Sequence, residues 1–199
     1  MISQTLMIFI DRRMLAVISD DMATAAGTAG MALFSFIGFG SGVLILVNTL
    51  ASQAYGRKDL QQTGQFMWQG IWWGLAFGLA TLILYPFALT IFLAMDHSPN
   101  MAALEAQYFQ IVLLTGPVRL ISMAMGQFLL AIHRPGTVFV AALVGIIVNC
   151  ILNYILIFGK FGFPRMELAG SAWGVNAGIC IEMLILLAII ASPKIRNVY

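Results

Sequence analysis

Charge is what this sequence has least of. Asp, Glu, Lys and Arg make up 9% of its 199 residues, against 61% hydrophobic ones, whereas soluble domains run near 25% charged and 45–50% apolar. Together with a mean hydropathy of +0.94, that scarcity excludes a water-soluble globular domain. A net charge of +2 gives no electrostatic case for a nucleic-acid partner, and none is expected. Histidine and cysteine are equally sparse, two of each. Cys150 and Cys180 fall inside apolar runs and read as buried thiols rather than a disulfide. His97 and His133 lie in links expected on opposite sides of a membrane, so no metal site is expected. No HExxH, GxSxG or Walker A sequence occurs. A lone carboxylate without a neighbouring base gives an enzyme nothing to work with, and no cofactor is implied. The N-terminus also lacks the basic start and small-residue cleavage site of a secretory signal.

What is abundant is long apolar runs. A helix needs about 20 residues to cross the hydrocarbon core of a bilayer, and six such runs can be drawn, at residues 2–19, 28–51, 64–94, 106–132, 138–158 and 168–191. The fold class expected is an all-α membrane protein of six transmembrane helices. The first run starts at Met1 without a leading turn and the last ends in SPKIRNVY, so sequence is expected beyond both ends. Arg57, Lys58, Arg134, Lys194 and Arg196 fall in the even links and the tail, against Lys160 and Arg165 on the other side. The positive-inside rule then places the even links, the tail and the N-terminus in the cytoplasm of a cell (inner) membrane.

Glycine recurs every fourth residue at Gly70, Gly74 and Gly78, and again at Gly170, Gly174 and Gly178. Such stripes let helix backbones approach where lipid supplies no hydrophobic drive for association. Pro117, in mid-span, is expected to kink the fourth helix and free carbonyls near Thr115 and Gly116. Trp68, Trp72 and Trp73 read as packing residues or interface anchors.

The polar residues inside the runs carry the functional expectation, because lipid offers them no partners. Asn149 and Asn153 are one helical turn apart and share a face; they are either glue between helices or part of a site. At about 1.5 Å of rise per residue, Asp11, Asn149, Asn153 and Asn176 fall in one layer in the outer half of the membrane. A carboxylate among carboxamides in low dielectric can load and unload a proton. Arg119 and Glu182 fall deeper, both about 21 Å from their outer ends, and are expected to pair as a structural or gating ion pair. Arg12 and Arg13 point about 100° and 200° around the helix from Asp11. One of them lining an aqueous cavity would hold Asp11 ionised.

Four segments, FIDRRMLA at 9–16, NTLASQAYGRKD at 48–59, VNCILNYILIFGKFGFP at 148–164 and AGSAWGVNAG at 169–178, resemble in order and spacing the N-terminal lobe of multidrug and toxic compound extrusion (MATE) transporters. The resemblance covers essentially the whole chain. It implies one six-helix lobe of a twelve-helix transporter, two lobes forming a V around a central cavity, with protons or sodium ions exchanged for small organic, often cationic, compounds. It carries the cation-coupling role onto Asp11, Asn149, Asn153 and Asn176. Glu182 lies beyond the acidic position expected in the sixth span, and Arg12 and Arg13 depart from the small or apolar residues usual after the aspartate. The partners implied are membrane lipid, an organic substrate and the missing C-terminal lobe or a second half-transporter. The competing readings are a lipid-linked or polysaccharide flippase of the same superfamily, favoured by Arg12, Arg13 and Arg119, and a nonfunctional truncated half.

Overall fold

The computed structural model describes residues 11–196, 198 and 199. Most of the expected first span lies outside the described residues; of it, residues 11–16 are helical. From there the chain is α1 (Asp20–Gly56), α2 (Leu60–Thr81), a 3₁₀ turn (Leu82–Phe87), α3 (Ala88–Ala94), α4 (Pro99–Leu113), α5 (Gly116–Ala131), α6 (Pro135–Phe158), α7 (Glu167–Ile190) and the short α8 (Pro193–Arg196). No strand occurs among the described residues, so the all-α expectation holds. Four helices or helix runs are long and apolar enough to cross a membrane, and α4 with α5 makes a fifth if that bent pair is one span.

Local chemistry sets the boundaries. Asp20 and Asp21 open α1, where carboxylates favour the positive end of the helix dipole; residues expected in a link are thus the first turn of a helix. At about 1.5 Å per residue its 37 residues reach about 55 Å, well beyond the roughly 30 Å hydrocarbon core. Asp59 caps α2 by accepting from the Gln62 amide at 3.0 Å, and Ser98 caps α4 just before Pro99. Proline also stands in the first turn of α5 and α6, where its missing N–H costs nothing. Pro86 falls in the 3₁₀ turn, so the third expected run is α2, that turn and α3 rather than one straight helix.

Pro117 breaks the fourth expected run. α4 and α5 meet at 50°, because the proline ring collides with the carbonyl four residues back and removes a donor. The break falls at residues 114–115. The run also begins at Pro99 rather than at residue 106, which moves Glu105 from a link into a buried helix face.

The largest helix–helix interface joins α6 to α7, followed by α2 on α5; α1 packs along α2, α4 and α5. The main core gathers Leu44, Val47, Phe92, Phe109, Leu113 and Leu120 between these helices. A second cluster of Met67, Met125, Phe128, Leu129 and Ile195 closes the end where the even links lie. Large apolar side chains also cover the outside: Phe34, Phe39, Trp72, Ile83 and Phe139 are all more than half exposed. In water that surface would drive aggregation, whereas in a bilayer it faces acyl chains. The protein is a multi-pass membrane protein.

Candidate functional site

The two glycine stripes bring the polar residues together. On α7, Gly170 lies against the backbone of Leu156 and Ile157, Gly174 against the Asn153 side chain, and Gly178 against Gly145 and Asn149. A Cβ on Gly178 would stand 2.8 Å from the Gly145 carbonyl oxygen, and one on Gly174 would overlap the Asn153 amide. The missing Cβ atoms are therefore what lets Asn149 and Asn153 sit inside the α6–α7 interface, both completely buried.

Asn153 Nδ2 donates to Asp11 Oδ1 across the bundle. Asp11 is itself 5% exposed, and this carboxamide is its hydrogen-bond partner. Among the described residues Asn153 Oδ1 accepts nothing, and neither amide atom of Asn149 has a partner. A buried carboxamide left unpaired costs about 1–3 kcal/mol, and no hydrogen bond from Asn149 to another helix is found among the described residues. Three residues on two helices thus present a carboxylate and two carboxamide groups with unused oxygen acceptors in a dry interior. That set suits a small cation: a proton on the carboxylate, or a sodium ion taking oxygen ligands.

Asn176 sits elsewhere. Its Oδ1 accepts from Thr115 Oγ1 at 2.6 Å and its Nδ2 donates to the Ile111 carbonyl at 2.6 Å. Both ends of the amide are committed to the break ahead of Pro117, where a carbonyl one turn before the kink needs a donor. Arg119 and Glu182 act on one another electrostatically but form no ion pair; the salt bridges among the described residues are His97–Glu105 and Arg165–Glu167. Arg119 Nε is buried without a partner among the described residues. The two side chains project from different helices, α5 and α7, and equal depth does not make them meet.

Two further polar features could not be read from spacing. Tyr108 of α4 is buried and within electrostatic reach of Asp11, Arg119 and Arg12, so it links the two layers. Its ring reads as an ordinary core aromatic in sequence. Glu105, 1% exposed, meets His97 Nδ1 at 2.7 Å and ties the α3–α4 link to the bundle. Arg12 lies flat over Gly27 of α1.

The MatE family model matches residues 1–155. The chain is 33% identical over 144 residues to "Probable multidrug resistance protein NorM" of Rhizobium meliloti (strain 1021), covering 72% of this chain and 31% of that protein. It is 32% identical over 191 residues to the protein of the same name from Pseudomonas putida (strain KT2440), covering 94% and 40%. A solved inward-facing multidrug resistance MATE transporter superposes with a TM-score of 0.87 at 15% identity, over 96% of this chain and 43% of that one. A crystal structure of a MATE protein in the bent conformation gives 0.86 at 16% identity, over 96% and 42%. The chain spans 31% and 40% of the length of these two curated relatives. With the family model covering most of its length and the same helical arrangement in the solved structures, this chain belongs to the MatE family.

Proposed function

We propose that the chain is the N-terminal lobe of a secondary active antiporter that expels small organic compounds in exchange for protons or sodium ions. Asp11 is the ion-binding carboxylate, and Asn153 and Asn149 complete the site. The observation that carries this reading is the unpaired Asn149 amide beside an Asp11–Asn153 contact sealed from lipid. A helix-glue residue spends its hydrogen bonds on a neighbour, and Asn149 spends none among the described residues. Relatives named for multidrug resistance support efflux as the transport direction.

Transport is the reading that the family supports. Entry of the ion neutralises or ligates Asp11 and weakens its hold on Asn153. That hold joins the first span to α6, so ion binding is linked to the position of the first span. The Pro117 break, clasped by Asn176, supplies a second movable joint next to α7. A second lobe, or a second copy, closes the other side of the cavity. The assembly lies in the cell (inner) membrane with the N-terminus cytoplasmic.

The test is dye efflux from cells carrying the intact gene under an imposed proton or sodium gradient, wild type beside Asp11→Asn. Asp11→Asn should bring gradient-driven efflux to background at unchanged membrane levels. Unchanged efflux would remove Asp11 from coupling.

A further inference from the structure

A groove of about 380 Å³ lies between the 11–16 turn and the start of α1, lined by Arg12, Asp20, Ala23, Thr24, Thr28 and Met31. The Arg12 guanidinium reaches it by lying over Gly27, where any Cβ would collide with it. Arg12 Nε is buried without a partner, and the guanidinium has neither an ion pair nor a hydrogen bond among the described residues. A planar, permanently charged fork left unpaired is set up for a carboxylate or phosphate, which it grips through two parallel bonds.

Asp20 lines the same groove and does not pair with Arg12. Opposite charges therefore face one space without neutralising each other. An anion alone would meet the Asp20 carboxylate, with Asp21 beside it on the same first turn. A cation alone would meet Arg12, with Arg13 next to it in sequence. A ligand bearing both charges satisfies both. The Thr28 hydroxyl, which donates to the Thr24 carbonyl at 3.1 Å, keeps its lone pairs free to accept from an ammonium. Ala23 and the exposed Met31 give an apolar body somewhere to lie.

We propose that this groove binds the head of a zwitterionic amphiphile, its carboxylate or phosphate on Arg12 and its ammonium on Asp20. The proposal rests on the transporter reading only in regarding the ligand as cargo. The ligand is either an amphiphilic solute or a phospholipid with an ammonium headgroup.

The purified full-length protein in dodecyl maltoside, a neutral detergent, is titrated with three dansyl probes that share one alkyl body. One carries a carboxylate, one an ammonium and one both. The zwitterionic probe should bind at least about tenfold more tightly than either other, as one extra charge-assisted contact gives. Arg12→Gln and Asp20→Asn should each abolish that preference. Gly27→Ala keeps the charge but displaces the guanidinium, and it should weaken the zwitterion with a gel-filtration profile like wild type. Competition by short-chain phosphatidylethanolamine assigns the lipid as source, and its failure to compete assigns the solute. Equal binding of the three probes, or a preference that survives Arg12→Gln, would overturn the proposal. Because no ion gradient is present, that result would leave coupling at Asp11 standing.

Discussion

The two glycine stripes use the same spacing for different ends. On α2, Gly70, Gly74 and Gly78 face Val47 and Ala124, the backbone of Leu120, and Pro117. Everything they admit is apolar or backbone. On α7, Gly170, Gly174 and Gly178 face α6, and what they admit includes two asparagines with open hydrogen-bonding capacity. One seam is a dry joint and the other encloses unpaired polar groups. The lesson is that a small-residue stripe fixes how closely two helices pack, while the residues opposite decide whether the seam holds structure or chemistry.

Alanine at matching positions should split the two seams. Gly174→Ala pushes against the tip of the Asn153 amide, which can swing away, so the helix pair should survive while its contact to Asp11 is lost. Gradient-driven efflux should fall to background at normal membrane levels. Gly78→Ala meets the Pro117 backbone, which cannot swing. Its cost should be about 1–3 kcal/mol of stability, the usual penalty of overpacking, read by unfolding titration in sodium dodecyl sulfate. Transport per folded molecule should stay near wild type. If the two variants exchanged these outcomes, the distinction between the seams would be wrong.

Asn149→Leu sharpens the same contrast. Leucine keeps the branched shape of asparagine with bulkier methyl ends and leaves no polar atom unpaired, so relief of the buried amide should offset the added volume and stability should stay within about 1 kcal/mol of wild type in the same titration. The smallest effect belongs to Arg119 and Glu182. They interact through space without a salt bridge, so a double-mutant cycle with Arg119→Gln and Glu182→Gln should return a stability coupling well below the roughly 3–5 kcal/mol lost on breaking a direct buried pair.

Sequence disclosed the helices, the close-packing stripes and the Pro117 break because each follows from a local rule: apolar length, residue size, a missing N–H. It also placed Asp11 and Asn153 at similar depth, and they touch. Depth is one coordinate, however, and contact needs the rotation of each helix as well. Arg119 and Glu182 share a depth and project from α5 and α7 without meeting. The depth of Asn176 follows from a straight span, but the break beside it leaves an unfilled carbonyl at Ile111 that claims its amide. Tyr108 and the Glu105–His97 pair were hidden for a similar reason, since a tyrosine in an apolar run and a glutamate near a link carry no spacing signal. Arg12 stood out in sequence, while its place over Gly27 depended on the angle between the first span and α1.

The central claim is that the α6–α7 seam holds an ion site rather than a polar joint. The measurement that tests it most directly is gradient-driven substrate transport by Asn149→Leu in proteoliposomes, at matched protein content. The account predicts transport at background from a protein that folds as well as wild type. Transport at the wild-type rate would contradict it and leave Asn149 as a buried amide without a part in coupling.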